Sequence, residues 1–313
     1  MKSILIAGAV LACAVLPAAA QQTDWSKVEI KTTDLGHGVH FLNWPGGDSL
    51  VLTGPDGVLL VDTSVPQMAD KITAAVARLT DKPIRYVVNT HAHADHFGAN
   101  EAMAKAGAVI IAHDNLRKRM ADGQYIAAFN QKIPPSPSAA LPVITYADGA
   151  VLHLDGETVE LIHVPNAHTD SDTVVRFRTA GVVHMSGGFG PGGTYPFYDI
   201  SSGGSLKGVI ALQERVLSFA DDNTRIIGDE GEPGSRRDLQ AQHDMLVKMR
   251  GRVQKLIDQG KTEAEVIAAK PTADLDPVWV PKGGFLSGDV ATRMAYQSLK
   301  GIQPPAAPPA KHP

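Results

Sequence analysis

The sequence predicts an α/β protein of two similar halves, sheet packed against sheet with helices outside. Three observations carry that expectation. Strand patterns with helices are followed by strand patterns with helices again, an order that packed α/β layers satisfy. Val58-Leu59-Leu60-Val61 is apolar without a break, as in a strand covered on both faces. Glycine and proline are plentiful (30 and 21) and aromatics few (5%), which favours a loop-rich α/β enzyme over a helical bundle. No repeat between the halves is visible by residue identity.

Each element follows from local pattern. Residues 39–43, 50–53 and 58–62 read as short strands, with turns at Gly46-Gly47-Asp48 and Gly54-Pro55-Asp56-Gly57. Met68, Ile72, Val76 and Leu79 have helical spacing and predict a helix over 67–79. A strand over 84–88, a helix over 99–106 and a strand over 109–111 follow. A helix over 114–129, basic in its middle, then leads to the loop Pro134-Pro135-Ser136-Pro137. From Ile144 the pattern turns to β. Strands are expected over 151–154, 158–163, 173–177 and 182–185, with hairpin signals at Asp148-Gly149, Asp155-Gly156 and Ala180-Gly181. Helices return over 206–219, 236–259, 263–270 and 289–300. Thr262 and Glu265 have capping-box spacing. Leu239, Leu246, Met249, Val253 and Leu256 form a stripe suited to packing onto a sandwich.

The ends read differently from this body. Lys2, the apolar run 4–16 and Ala18-Ala19-Ala20 form a signal-peptide pattern, cleaved after about Ala20 and of bacterial type. The run is too short for a comfortable transmembrane helix. The expectation is therefore a periplasmic or secreted protein, free of the membrane once the leader is removed. Cleavage before Cys13, as in a lipoprotein, is the alternative; Leu11 fits it poorly. Cys13 is the only cysteine, so the mature chain has no thiol and any metal must use N and O ligands. Residues 21–302 form the expected domain, and the proline-rich tail 303–313 is expected to be disordered. The formal net charge of −4 gives no sign of nucleic-acid binding, which leaves a small-molecule substrate as the expected partner.

His91-Ala92-His93-Ala94-Asp95-His96 places four metal-capable side chains in six residues, directly after the 84–88 strand. The competing reading is a polar loop with chance histidines. Twelve histidines in 313 residues make three in six positions improbable by accident. In an extended segment His91, His93 and Asp95 face one side and His96 faces a neighbouring point, so one loop can serve two positions. A third nitrogen ligand is needed, from His113, His153, His163, His168 or His184. His168 stands out, in the turn Pro165-Asn166-Ala167-His168-Thr169-Asp170-Ser171-Asp172. His113, between a strand and a helix, suits a cap. His153 and His163 suit ordinary strand positions. Asp62, after a buried strand, is either a cap or a group that orients a ligand histidine.

His-x-His-x-Asp-His after a strand, a later His-Thr turn and the leading Leu60-Val61-Asp62 strand together resemble the metallo-β-lactamase superfamily, from about Val39 to about Leu246. The segment 195–205, Tyr-Pro-Phe-Tyr-Asp-Ile-Ser-Ser-Gly-Gly-Ser, is similar to an exported, glyoxalase-like branch. The resemblance implies a four-layer αβ/βα sandwich, the metallo-β-lactamase fold, with metals at one edge between the sheets. It implies His91, His93 and His168 at a first zinc site, Asp95 and His96 at a second, and Asp62 behind a ligand. It further implies a hydrolase in which metal-activated water, its pKa lowered from about 15.7 toward about 7, attacks an ester, thioester, lactone or β-lactam carbonyl. Asp95 would orient that water or take its proton.

Two expected ligands are missing. The metal-bridging aspartate of the family falls near Gly187 or Gly188, in Ser186-Gly187-Gly188-Phe189. The last histidine falls at Glu230, flanked by Asp229 and Glu232. Three readings compete: a mononuclear zinc enzyme on His91, His93 and His168 with Asp95 as base; a binuclear site with Glu230 replacing the histidine and water or Ser186 near the lost bridge, its second metal either zinc or one that harder carboxylate ligands favour; or a non-catalytic protein that binds a metal or ligand. An iron-dependent oxygenase is disfavoured, because its site uses the bridging aspartate. Residues 187–193 read equally as a substrate-facing wall and as a plain glycine-rich connection.

Overall fold

The computed structural model describes residues 23–229, 231–281 and 286–304. The expected leader, Glu230 and the tail beyond Pro304 lie outside them. Strands β1 (Lys31–Asp34), β2 (Val39–Trp44), β3 (Gly47–Gly54) and β4 (Gly57–Val61) make an antiparallel meander. Strands β5 (Ile84–Val88) and β6 (Val109–His113) then add in parallel. A separate hairpin, β7 (Gln124–Ile126) and β8 (Gln131–Ile133), precedes β9 (Ile144–Tyr146), which lies parallel to β6 at the sheet edge. The second sheet repeats the plan. β10 (Gly149–Leu154), β11 (Glu157–His163), β12 (Thr173–Phe177) and β13 (Val182–His184) form a meander; β14 (Arg225–Ile227) adds parallel to β13, and β15 (Gly234–Ser235) antiparallel to β14.

Helices cover both outer faces. On the first half are α1 (Ala69–Ala77), the single turn α2 (Ala94–Phe97), α3 (Asn100–Lys105) and α4 (Asp114–Asp122). On the second are α5 (Leu206–Leu217), α6 (Arg236–Asp258), α7 (Glu263–Ala268), α8 (Asp276–Trp279) and α9 (Gly288–Lys300). This is the four-layer metallo-β-lactamase fold that the sequence predicts. The uninterrupted apolar strand β4 explains the layering. Leu59 and Val61 join the inter-sheet core with Phe41, Val175 and Phe177. Val58 and Leu60 join the outer core under α1 and α3, with Ile72 and Met103. The opposite outer core sets Val174, Val183 and Ile226 against Leu206, Leu246 and Val253.

Several local expectations meet their physical cause. Thr262 and Glu265 form both halves of a capping box on α7. His113 caps α4, its Nδ1 accepting from the Asn115 amide at 3.1 Å. One expectation fails. The helix expected over 114–129 ends at Asp122, because Gly123 takes φ +74, and a Cβ there would stand 2.8 Å from the Ile133 carbonyl. The chain turns back as the β7–β8 hairpin instead. Strand β1, largely exposed at a sheet edge, carries no apolar pattern from which to predict it.

The parallel strands of each sheet run the same way, so their C-terminal ends open on one edge. Asp62 follows β4, the histidine cluster follows β5, Ser186 follows β13 and Asp229 follows β14. Crevices at the carboxyl ends of strands are where α/β sheets hold ligands.

Candidate metal centre

The loop after β5 is pinned before it presents any side chain. The Asn89 amide donates to the His96 carbonyl at 3.0 Å, and Asn100 donates to Asn89 at 2.8 Å. The Thr63 amide donates to the same His96 carbonyl at 2.8 Å. The segment is not extended throughout. It is irregular to His93, which stands at the N-cap of α2, and helical from Ala94. Asp62 and Ser64 hold left-handed backbone, φ +62 and +59, conformations that non-glycine residues adopt at a cost and often at functional sites.

Three imidazoles converge. His91 Nε2 lies 3.2 Å from His93 Nδ1, and His168 Nε2 lies 3.0 Å from the same atom. All three residues are buried. Their outer contacts decide where the protons sit. The Phe197 carbonyl, 2.8 Å from His168 Nδ1, can only accept, so His168 carries its proton there. Asp199 Oδ2 stands 3.3 Å from His93 Nε2 and accepts its N–H. Around His91 Nδ1 are Thr90 Oγ1 at 3.1 Å and Ser186 Oγ at 3.0 Å. Both hydroxyls already donate to carboxylates at 2.6 Å, Thr90 to Asp62 and Ser186 to Asp172. His91 Nδ1 is therefore the donor. Three proton-free nitrogens are left facing one point.

That arrangement fits a cation. Three buried lone pairs so close repel one another unless a positive charge lies between them. Tetrahedral zinc with bonds of 2.0–2.1 Å separates its nitrogens by about 3.3 Å, close to the two spacings observed. Burial, then the neighbouring imidazoles, holds His91 well below the usual histidine range, and burial with His93 lowers His168. Both are thus neutral, the form that binds metal.

A second group adjoins the first: His91, His96 and Asp229. His96 packs on His91 with ring centroids 4.0 Å apart. Its Nδ1 donates to Asp62 Oδ2 at 2.8 Å, and its Nε2 faces Asp229 Oδ1 at 2.9 Å. Burial disfavours a charged His96, but Asp229, Asp62 and Asp95 outweigh it and raise its pKa well above the ordinary value. Burial likewise works against the Asp229 carboxylate; His96 beside it prevails and lowers its pKa. Asp95, which an extended loop would place in the His91–His93 row, instead rides the exposed side of α2. Its Oδ2 is 3.7 Å from His96 Nε2 and its side chain is 55% exposed. The helical turn at Ala94 rotates it out of the row. Asp62 touches His96 and Thr90. Glu230 is outside the described residues; Asp229 is the neighbour that reaches the site.

Gly187 lies against the first group. A Cβ on it would stand 2.3 Å from the His168 ring, and one on Gly188 would stand 2.6 Å from Leu212. Sequence reasoning also passed over Asp172 and Asp199. Asp172 accepts from the Thr169 amide at 2.6 Å and from Ser186, and burial pushes its pKa up to about 6. Arg119 pairs with Asp170 through two bonds of 2.7 and 2.9 Å, tying α4 to the His168 turn. Of the remaining histidines, His184 pairs with Asp48 at 3.3 Å, and His163 stacks on His113 at 3.7 Å between centroids.

Two clefts reach the centre. One, of about 600 Å³, runs past His93, Asp95, His168 and Asp229 to the β7–β8 hairpin. The other, of about 450 Å³, runs from His168 and Gly187 along residues 189–197. Phe197 stands between them and borders both.

Fold and site together define a class. Residues 42–186 match the metallo-beta-lactamase superfamily profile, a span that holds His91, His93, His96 and His168. The chain has the metallo-β-lactamase fold, and the matching span covers a little under half of its length. A stereoselective inverting sec-alkylsulfatase from Pseudomonas sp. is similar over 87% of this chain, with 19% identity and a TM-score of 0.69. This chain spans about half of that enzyme's length (50%). A metallo-beta-lactamase from Pontibacter korlensis aligns over 70% of this chain and 99% of its own, at 17% identity and TM-score 0.57. One from Hirschia baltica aligns over 70% and 98%, at 20% identity and TM-score 0.54. At these identities the likeness speaks for the fold.

Proposed function

We propose that this chain is an exported, metal-dependent hydrolase of the glyoxalase-like branch, acting on neutral esters, thioesters or lactones with an apolar acyl group. One observation carries the reading: three proton-free imidazole nitrogens converge at the floor of a cleft. His91, His93 and His168 would hold one divalent cation, zinc by their donor chemistry. His96 and Asp229 would hold a second and weaker one, with Asp95 at its margin. Two oxygen donors and one nitrogen make a harder set, open to metals other than zinc. Bound there, a divalent cation lowers the pKa of water toward neutrality and steadies charge on a carbonyl oxygen.

The chain's own groups supply the rest. Asp95, half exposed in the larger cleft, would orient water and take its proton, a role that its place in the cleft lining supports. Ile126, Ile133, Val65, Phe129 and Phe197 give that cleft an apolar wall, which suits an acyl chain. Export rests on the leader pattern at the N-terminus.

Alkyl sulfate esters are the second reading, favoured by the extent of the alkylsulfatase likeness and by the same apolar wall. Asp95 and Asp229 in the cleft weigh against an anionic ester. The test measures metal per chain, then hydrolysis of p-nitrophenyl acetate, butyrate and octanoate, an alkyl sulfate and a chromogenic cephalosporin, with and without chelator. Chelator-sensitive ester cleavage that improves with chain length is expected. Preference for the sulfate moves the assignment to the second reading. Bound metal with no turnover of any substrate points to a binding protein instead.

A further inference from the structure

We infer that the segment Tyr195–Ser205 is a strap that sets two of the three ligand histidines at once, with Asp199 the positioning residue for His93. This rests on the metal reading of His91, His93 and His168. The strap holds His168 by its backbone. The Phe197 carbonyl accepts from His168 Nδ1–H at 2.8 Å, and the Asp199 amide donates to the His168 carbonyl at 2.7 Å. It holds His93 by a side chain, through Asp199 Oδ2 at 3.3 Å.

Asp199 is itself locked. Its Oδ1 accepts from the Ser201 amide at 2.9 Å and from the Ser201 hydroxyl; its Oδ2 accepts from Ser202 Oγ at 2.6 Å. It is 2% exposed, so no water competes for it. Three donors of the strap converge on the carboxylate, whose oxygens accept them and face His93 Nε2 as an acceptor. His93 must then carry its proton on Nε2 and turn Nδ1 inward, beside His91 and His168.

The two glycines of the strap have a steric reason. Gly203 takes φ +81. A Cβ on Gly204 would stand 2.2 Å from the His168 carbonyl. Strap and His168 turn are stitched further by Ser205 N to Ala167 O at 2.8 Å, Asp170 N to Ser202 O at 2.9 Å, and Asn166 Nδ2 to Gly203 O at 2.9 Å. The motif at 195–205 thus serves the metal centre without offering a ligand. Groups that fix a ligand's ring and tautomer matter nearly as much as the ligands.

The test compares wild type with Asp199→Asn. An amide must direct its NH₂ at one set of donors, so it breaks the lock either way. Zinc affinity by chelator competition is expected to fall about 10–100-fold. In the metal-free protein, histidine ¹⁵N NMR is expected to show His93 as the Nε2-protonated tautomer in wild type and as a tautomer mixture in the variant. Unchanged affinity and tautomer, with only the metal-free unfolding midpoint lowered, reduces Asp199 to a structural role and overturns the inference. Should Asp199→Asn fail to fold, Ser202→Ala keeps the carboxylate and frees one oxygen. It is expected to weaken zinc several-fold, and an unaltered affinity there overturns the inference too. Wild type that binds no zinc removes the metal reading and the inference with it.

Discussion

His96 Nε2 and Asp229 Oδ1 stand 2.9 Å apart, an ion pair set against the first group of histidines. A cation held by both side chains would replace the proton that joins them in the metal-free protein. Asp229→Ala is expected to leave the first position intact. With zinc in excess, metal content should fall from two equivalents per chain to one. Loss of both equivalents, measured by mass spectrometry of the metals, would place Asp229 in the primary site.

The two positions should also part with pH. In the metal-free protein His91 and His168 lie below the ordinary histidine range, and His96 lies above it. A cation meets bare nitrogen at the first two but must displace a proton from His96. Falling pH protonates His96 first, because its pKa is the raised one. Dialysis from about pH 8 to about pH 6 is expected to release the second metal and retain the first. Simultaneous release would contradict that order.

Ser186→Ala removes the hydroxyl that accepts from His91 and donates to Asp172. Zinc affinity should drop about 10-fold. The metal-free protein should lose on the order of 1–2 kcal/mol, because an Asp172 oxygen is left buried without its donor. Chelator competition and urea unfolding check the two parts separately.

Gly187→Asp tests whether a bridging carboxylate can simply be put back. The added Cβ would meet the His168 ring at 2.3 Å, so the ring must move. Metal content should not rise, first-site affinity should fall, and stability should drop by about 1–3 kcal/mol through overpacking. A gain of a tightly held second metal would show that the ring yields freely.

Much of this was legible in the chain because its signals are local. An apolar run such as 58–61 declares a strand covered on both sides, and the motif at 91–96 declares a metal loop by ligand density. The β7–β8 hairpin was not legible, since the 114–129 stretch keeps a helical look through Gly123. Asp199 and Asp172 were not legible either. A carboxylate among serines and glycines looks the same in sequence whether it caps a turn or grips a ligand.

By itself, then, the order of residues determined the layered fold and the histidine cluster, because burial pattern and ligand spacing are properties of short segments. Tertiary structure decided which atoms meet. It brought His168 to a cluster 75 residues away, turned Asp95 outward and set Asp229 against His96. It also closed the place beside Gly187 with the His168 ring. The physical reason is that donors converge through the face-to-face packing of two sheets, and proton positions follow from partners that only the fold supplies.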